Sequence, residues 1–333
     1  MPSIRVPISQ PFDFHLTVSN QTYYRGTAGS DVYADGVYFR ALRMPPLGDK
    51  VLVASATAAP GGAEVSLPDG ATDAELAFAA DAMARMLGAG IDLDGFYKAM
   101  RLDKELAKAT GSLTGLRPPR TETVFEALVM AVIAQQISSV IARMIRDRMV
   151  AAYGTAVEAP DGRALYAFPT PQSLLAGGFD GLRALKLSNR KVEYIQDICA
   201  HTLNGRLGPE RLAGMEDEAV IEELCAIRGI GRWTAEWMLL RALGRPDVLP
   251  AGDLALRKVV SELYFNGDDI TEKQLAAFAL ERWSPYRGLV TIYLFAHLRQ
   301  RRIAAEVERA ASAAVAPRKA SRTAGKPAPE AAV

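Results

Sequence analysis

Hydrophobic and polar residues alternate along the first part of the chain, as they do in strands with one buried face. Apolar side chains occupy every second position between residues 12 and 18, which predicts a half-buried β-strand. The Asp35-Gly36 dipeptide between β-rich flanks predicts a tight hairpin. Two later strand-like runs lie on either side of a Pro-Gly-Gly turn, and a helical period follows Thr72. Residues 1–110 are therefore expected to form an antiparallel β-sheet with one or two helices.

The spacing of apolar residues becomes helical after residue 116. Thr123 and Glu126 predict a capping box before the stretch 125–145, which is apolar almost all round and predicts one central buried helix. Helix start signals and helical periods then predict further helices from Thr170-Pro171, from Ser188-Asn189 to about residue 205, and over residues 221–227, 232–243, 254–263, 274–283 and 286–302. An all-α domain is expected over residues 111–303.

The composition changes again near residue 304, where Ala, Pro, Lys, Arg and Ser dominate. Residues 316–333 carry four basic side chains and one acidic side chain, with no large apolar residue before Val333. Such a segment cannot bury enough apolar surface to offset the entropy of ordering it. A disordered basic tail is therefore predicted over residues 304–333, either purely solvated or with some loose affinity for phosphate.

Length, charge and cysteine usage narrow the classes of protein. The 333 residues suit two or three domains, and 39 Lys and Arg against 38 Asp and Glu give no strong overall field for a polyanion, although a local patch can still bind one. The start lacks the apolar core of a signal peptide, and no apolar run approaches the roughly 20 residues of a membrane span. Two cysteines, Cys199 and Cys225, are too few for a four-cysteine metal site. We expect a cytoplasmic protein that does not bind membranes.

The most specific chemical signal is the string RGIGRWTA, which joins the end of one predicted helix to the start of the next. Gly229-Ile230-Gly231 permits backbone conformations closed to other residues and removes side chains that would hold a partner away. Amides of the turn and of the following helix N-terminus can then point at one anion, supported by the helix dipole. The string predicts a helix–hairpin–helix element that binds a nucleic-acid phosphate; an ordinary turn in a helical bundle is the alternative.

Asp253 lies 22 positions after Gly231, directly before a predicted helix. Taken alone, it is most simply an N-cap residue. A fixed carboxylate beside a phosphate-binding hairpin has a second use, because breaking the N-glycosidic bond of a damaged purine develops positive charge on the deoxyribose. An anion lowers the energy of that transition state and can help a water molecule attack C1′. The two roles are compatible, since a cap position fixes the carboxylate.

The string GIGRWTAEW followed by PAGDL resembles the helix–hairpin–helix DNA glycosylase superfamily, and within it the DNA-3-methyladenine glycosylase II type. The resemblance covers residues 113–302 strongly and the N-terminal zone more weakly. It implies an α+β fold, in which an antiparallel sheet like half of a TATA-binding protein precedes a two-lobed helical domain with the base pocket between its lobes. It also implies Asp253 as the catalytic carboxylate, and a clamp on the DNA backbone formed by Gly229, Ile230, Gly231 and Thr234.

The same resemblance implies which residues meet the flipped base and the gap that it leaves. Trp233 and Trp237, four positions apart on one helix face, are implied to line the base pocket, with core packing as the alternative. Their electron-rich rings would favour a cationic alkylated purine. Phe295 occupies the position of an aromatic residue that stacks on the base and is often Trp. Gln136 occupies the position of the wedge residue that enters the DNA, where some relatives have Leu; a polar residue at a lobe boundary is the alternative.

Two departures distinguish this chain among such relatives. Members that also nick the abasic site carry a Schiff-base-forming lysine where this chain has Trp233, so a glycosylase without lyase activity is implied. Two cysteines cannot hold the four-cysteine iron–sulfur cluster of other members. No cofactor is expected, although the resemblance does imply a structural monovalent cation bound by the carbonyls of Cys225, Ile227 and Ile230.

These inferences predict a monomeric, nucleoid-associated DNA glycosylase. It would flip alkylated purines out of double-stranded DNA and hydrolyse their N-glycosidic bond in base excision repair, leaving an abasic site. The expected lesion is 3-methyladenine, with 7-methylguanine or hypoxanthine as further candidates. A glycosylase of another lesion class, such as oxidised guanine, and a non-catalytic protein that binds damaged DNA are the alternatives.

Overall fold

The computed structural model describes residues 1–22, 29–118 and 120–315. Its first part is an antiparallel sheet of five strands in the order β1-β5-β4-β3-β2. The strands are β1 (Ser3–Pro7), β2 (Asp31–Ala34), β3 (Val37–Met44), β4 (Lys50–Ala59) and β5 (Gly62–Ser66). The predicted turn at Asp35-Gly36 joins β2 to β3, and both residues have positive φ, 52° and 80°, as a two-residue hairpin turn requires.

The strand predicted between residues 12 and 18 is wrong, because this segment forms helix α1 (Phe14–Thr22). Phe14 and Val18 are buried and lie four positions apart, so the same apolar residues that alternate along a strand also share one face of a helix. The Asp13 carboxylate favours the helix, because it accepts a hydrogen bond from the amide of Leu16 (2.8 Å) and so caps the first turn.

Different elements cover the two faces of the sheet. Helix α2 (Asp73–Met86), which begins at the Thr72/Glu75 capping box, packs on one face and buries Ala79 and Met83 there. The short hairpin of β6 (Thr155–Glu158) and β7 (Ala164–Ala167) packs on the other face, against Phe39 and Ala41 of β3. The expectation of helices alone after residue 116 missed this hairpin, whose four-residue strands are too short for a clear two-residue period.

One buried ion cluster joins the sheet to the helical part. The Arg40 guanidinium of β3 is fully buried and contacts carboxylate oxygens of Glu126 at 2.6 Å and of Glu122 at 2.9 Å. Beside it, Arg43 donates to the carbonyl of Phe168 (2.7 Å) and to the hydroxyl of Thr155 (2.8 Å). Buried charged groups therefore connect the sheet to the first helical lobe.

The stretch 125–145 is not one helix, as predicted, but two. Helix α5 (Val124–Ala134) and helix α6 (Ser139–Tyr153) are separated by residues 135–138, which we call the wedge turn. Within it Gln136 has a left-handed backbone with φ 57°, and the Ser138 hydroxyl caps α6 by accepting from the amide of Ile141 (3.3 Å). The apolar pattern hides this break because apolar residues continue on both sides of it.

The helical part has two lobes, each with its own apolar core. The first lobe contains α5, α6, α7 (Pro171–Ala176), α8 (Gly178–Ala184), α9 (Asn189–Leu203), α10 (Pro209–Ala213), α11 (Asp217–Cys225), α12 (Arg232–Met238) and a π-helical turn (Leu239–Leu243). The start signals at Thr170 and Ser188 are confirmed, since both side chains cap their helices.

The second lobe contains α3 (Asp94–Leu102), α4 (Lys104–Thr110), a 3₁₀ turn (Gly111–Leu113), α13 (Leu254–Tyr264), α14 (Glu272–Trp283) and α15 (Arg287–Val315). The first two helices precede the predicted boundary at residue 110, yet they share a core with the last three. Asp103 fastens them together, since it caps α4 and accepts hydrogen bonds from Tyr264 (2.9 Å) and Arg282 (2.7 Å). The predicted α+β class is confirmed.

Helix α15 extends beyond its predicted end. The disordered tail expected from residue 304 is wrong for residues 304–315, which continue the helix because they are rich in the strong helix formers Ala, Glu and Arg. The rest of the predicted tail, 316–333, lies outside the described residues. Among the helices that the structure describes, none is both long and apolar enough to cross a membrane.

Candidate active site

A cleft of about 680 Å³ lies between the two helical lobes. Helices α5, α6 and α12 of the first lobe and α15 of the second lobe contribute to its walls, together with the wedge turn and the start of α13. Six of the residues predicted for the site line this one cleft: Gln136, Trp233, Thr234, Trp237, Asp253 and Phe295. Residues separated by up to 159 positions in sequence, between Gln136 and Phe295, thus meet at one surface.

Asp253 is held by hydrogen bonds to both carboxylate oxygens. Its Oδ1 accepts from the amides of Ala255 (2.9 Å) and Leu256 (3.1 Å), which confirms the N-cap role at α13. Its Oδ2 accepts from the indole Nε1–H of Trp233 (3.0 Å). The carboxylate is half-buried and lines the cleft, so one side chain both caps a helix and presents an oriented anion there.

Three aromatic rings form a row across the junction of the lobes. The ring centroids of Trp233 and Trp237 are 6.4 Å apart at 71°, and those of Trp237 and Phe295 are 5.1 Å apart at 78°. Trp237 packs on the core of the first lobe and Phe295 on that of the second. Trp233 is 43% exposed and lines the cleft, so part of its side chain is accessible there. Edge-to-face contacts of this kind fix the rings relative to one another.

The hairpin has the geometry that its sequence predicts. Gly229 has φ +82°, and a Cβ there would lie 2.2 Å from the ring of Tyr194, so both the backbone and the packing require glycine. Ile230 is buried in the core of the first lobe and anchors the turn. Gly231, the N-cap of α12, has φ −95° and open space where a Cβ would lie. The packing around Gly231 therefore does not require glycine, and the space beside it is open to a partner.

Some groups near the hairpin are placed differently from what their sequence position indicates. The Thr234 side chain is 3% exposed and lies on the cleft side of α12, so its hydroxyl is not at the outer surface of the hairpin. The guanidinium of Arg232 is bonded to Glu218 through two nitrogens (2.7 and 2.9 Å) and to Glu236 (3.0 Å). Arg228 remains 63% exposed at the hairpin. Arg228 also faces a carboxylate, Glu193, at 3.9 Å, and the Arg232 side chain is still 55% exposed.

Of the implied cation ligands, Cys225 ends α11, where helix carbonyls lack intrahelical partners, and Ile227 and Ile230 follow it in the chain. The Ile227 carbonyl accepts a hydrogen bond from the amide of Ile230 (3.1 Å), which leaves one lone pair for a cation. Carbonyl oxygens are suitable ligands for a hard cation, so the residues fit the implied ion. Within the described ranges no group of three or more His, Cys, Asp or Glu side chains could hold a metal. The cation stays a prediction.

Five arginines also line the cleft, and sequence reasoning missed them. They are Arg120, Arg143, Arg146, Arg241 and Arg302. Asp253 is the one carboxylate among the cleft-lining residues of the described chain. The lining of the cleft is therefore rich in arginine, although the whole chain has a net charge of only +1. Arg143 and Arg146 are three positions apart, which places them on one face of a helix, and this is the signal that could have revealed them.

The two hairpin glycines give a matched pair of variants. Gly231→Ala adds a methyl group where the protein has open space, so we expect unchanged stability but DNA binding weakened by about tenfold, because the Cβ enters the space of the phosphate. Gly229→Ala meets the Tyr194 ring at a positive φ, so we expect a loss of about 1–3 kcal/mol of unfolding free energy. Thermal unfolding and duplex-binding titrations measure both. Unchanged DNA binding by Gly231→Ala would contradict the hairpin's role.

Glu236 predicts a pH dependence of stability. Burial, opposed by Arg232 and reinforced by Glu272 and Glu218, raises the pKa of Glu236 to about 7. A carboxyl group that is easier to protonate in the folded state contributes stability below its unfolded pKa of about 4.5, and this contribution is lost as the pH rises through 7. Glu236→Gln removes this pH-dependent contribution. The Tm of the variant minus the Tm of the unaltered protein should therefore increase from pH 5 to pH 8. A constant difference over that range would refute it.

Comparison with known proteins identifies the family of this chain. A family model described as HhH-GPD superfamily base excision DNA repair protein matches residues 129–285, which include the hairpin and Asp253. DNA-3-methyladenine glycosylase 1 of Schizosaccharomyces pombe is 31% identical over 193 residues, which are 58% of this chain and 80% of that protein. The chain belongs to the HhH-GPD superfamily. The HhH-GPD model ends at residue 285, ten positions before Phe295.

Two further proteins extend the likeness to the N-terminal sheet. A Mycobacterium tuberculosis protein described as "Probable bifunctional transcriptional activator/DNA repair enzyme AlkA" is 31% identical over 300 residues, 89% of this HhH-GPD chain and 57% of that protein. A solved structure, the 3-methyladenine DNA-glycosylase from Archaeoglobus fulgidus, superposes with a TM-score of 0.75 at 29% identity, over 90% of this chain and 98% of that chain. The chain spans less than three fifths of the length of the first curated relatives that it matches.

Proposed function

We propose that this HhH-GPD protein is a DNA glycosylase that removes alkylated purines from double-stranded DNA. The observation that carries the proposal is Asp253, whose carboxylate is fixed by two amides and the Trp233 indole in a cleft with an aromatic wall. The hairpin that precedes this cleft in sequence suits a DNA phosphate, and the arginine lining suits the strand around it.

The reaction that this geometry supports is hydrolysis of the bond between C1′ and the purine nitrogen. As that bond breaks, its electron pair leaves with the base and the sugar becomes an oxocarbenium-like cation. The Asp253 carboxylate stabilises this positive charge and accepts a proton from the water molecule that attacks C1′. The products are a free base and an abasic site. Since Asp253 already accepts from Trp233 and two amides, the anion is oriented before the substrate arrives.

We propose that the enzyme has no lyase activity. Cleavage of the sugar–phosphate backbone at the abasic site needs an amine that forms a Schiff base with C1′. Trp233 stands at the position of that lysine, and its indole N–H is bonded to Asp253. Among the cleft-lining residues that the structure describes, none is a lysine. The abasic product would therefore keep both of its phosphodiester bonds.

Alkylated purines are the substrates that the cleft and the relatives support best. The row of Trp233, Trp237 and Phe295 offers electron-rich faces, and a desolvated cation over such a face gains about 1–2 kcal/mol. Two of the relatives described above, from Schizosaccharomyces pombe and Archaeoglobus fulgidus, carry names that refer to 3-methyladenine, which supports that lesion first. We propose 7-methylguanine and hypoxanthine as further substrates. We also propose that the enzyme is a nucleoid-associated monomer.

The measurement that tests this function is the release of free bases from methylated duplex DNA, followed by chromatography. We expect 3-methyladenine and 7-methylguanine in the supernatant, and intact strands until alkali cleaves the abasic sites. Tight binding of methylated duplex without any release would instead favour the non-catalytic DNA-binding alternative. Release of 8-oxoguanine from an oxidised duplex, with no release of alkylated purines, would favour the other glycosylase class.

A further inference from the structure

One face of helix α9 contacts both the wedge turn and the hairpin. Lys191, Tyr194 and Asp197 follow one another at intervals of three residues, which places them along the same side of the helix. Each contacts a different part of the two loops. None of the three was predicted from the sequence, because they lie far from the hairpin motif along the chain.

Lys191 binds the first end of the wedge turn. Its ammonium group donates to the carbonyls of Ile133 (2.8 Å) and Gln135 (2.7 Å), at the carboxyl end of α5. Carbonyls at this end of a helix lack intrahelical partners and carry the negative end of the helix dipole, so a cation is favourable there. The same ammonium is partly buried, and burial lowers the pKa of Lys191.

Tyr194 and Asp197 bind the hairpin from the same face of α9. The Tyr194 ring lies where a Cβ on Gly229 would be, so ring and turn are in close contact. The Asp197 Oδ2 accepts a hydrogen bond from the amide of Arg228 (3.0 Å). Helix α9 therefore supports the hairpin over the two residues that precede Ile230.

Gln135 joins the two loops directly. Its side-chain Nε2 donates to the carbonyl of Gly229 (3.0 Å), across 94 positions of sequence. The next residue, Gln136, is exposed and has the left-handed backbone that non-glycine residues hold only where their surroundings enforce it. The hydrogen bonds of Gln135 and Lys191 hold the chain directly before this strained position.

We propose that Lys191 and Gln135 are positioning residues that hold the wedge turn at a fixed distance from the hairpin. Binding of a phosphate at the hairpin then places Gln136 at the gap left by the flipped base, so that the two events occur together. The inference rests on the proposed function, since it assigns the DNA contacts of that function to the two loops. It adds that the loops act as one rigid unit built on α9.

The proposal is tested by base release from one lesion in two DNA contexts, with the variants Lys191→Met and Gln135→Met. In the first context 7-methylguanine is paired with cytosine; in the second it lies in a single-nucleotide bulge, where extrusion costs less. If the two residues position the wedge, each variant should lose about tenfold in single-turnover base release from the paired duplex and less than about twofold from the bulge. The control Lys104→Met, at an exposed lysine of α4, should be unchanged in both contexts.

An equal loss in the two contexts, or no loss in either, would overturn the proposal. A second readout does not depend on base release. It therefore separates failure of the positioning proposal from failure of the proposed function. The duplex for this readout carries 2-aminopurine beside an uncharged analogue of the abasic site. The change in 2-aminopurine fluorescence when protein saturates the duplex reports insertion of Gln136 at that site. We expect this change to be at least halved in both variants, whereas an undiminished change would contradict the positioning role. Absence of base release by the unaltered protein would contradict the proposed function alone.

Discussion

Asp253→Asn should lower the rate of base release by about 10²–10³-fold while leaving DNA binding intact. The substitution removes the negative charge that opposes the cationic sugar but keeps the size of the side chain. Asn is as good an N-cap as Asp, so the hydrogen bonds to Ala255 and Leu256 can persist. Single-turnover release from methylated duplex measures the rate, and a binding titration with the same duplex measures the affinity.

Two observations keep the Asp253→Asn result interpretable. Thermal unfolding should change little, because the cap is retained, whereas Asp253→Ala should lose about 1 kcal/mol with the cap. A rate for Asp253→Asn within about threefold of the unaltered protein would remove this residue from the chemistry. The cleft would then need another anion, and no other carboxylate lines it in the described part of the chain.

Arg40→Met should be the most destabilising single substitution considered for this protein, at about 3–5 kcal/mol of unfolding free energy. Burial opposes the charge of Arg40, but Glu126, Glu122 and Asp31 outweigh it and raise the pKa of the guanidinium well above its ordinary value. Removing the arginine takes away the cation that these buried carboxylates share. Burial already raises the pKa of Glu122, so part of the loss should be recovered at low pH, where the carboxyl group is neutral.

Urea unfolding monitored by tryptophan fluorescence and circular dichroism measures the effect of Arg40→Met. The matched control is Arg5→Met, because Arg5 is an exposed arginine on another strand of the same sheet. The control should stay within about 0.5 kcal/mol of the unaltered protein. A loss below about 1 kcal/mol for Arg40→Met would show that the cluster does not join the sheet to the helical lobe in solution.

Local signals in the sequence were sufficient for parts of the molecule that depend on neighbouring residues. The Asp35-Gly36 turn, the caps at Thr72, Thr170 and Ser188, and the glycine hairpin are each specified within four residues, and the structure confirms them. The N-cap role of Asp253 is likewise local. Such features can be predicted because backbone conformation and capping chemistry act over one turn of chain.

Features that depend on tertiary packing were not predictable in this way. The segment 14–22 fits both a strand and a helix by its apolar pattern, and the break at the wedge turn interrupts no apolar run. The bond between Trp233 and Asp253 joins two residues that the resemblance gave separate roles. Gln135 and Lys191 are 56 positions apart, so their contact exists only once α5 and α9 pack together. Local sequence patterns do not show which residues that are far apart in the chain come into contact.

If Asp253 meets a positively charged sugar, the protein should distinguish two abasic analogues that differ in charge. One duplex contains a pyrrolidine whose protonated nitrogen resembles the cationic transition state, and the other contains a neutral tetrahydrofuran of the same shape. The unaltered protein should bind the cationic duplex at least about a hundredfold more tightly than the neutral one, and Asp253→Asn should lose most of that preference. Equal affinity of the unaltered protein for the two duplexes would contradict the account.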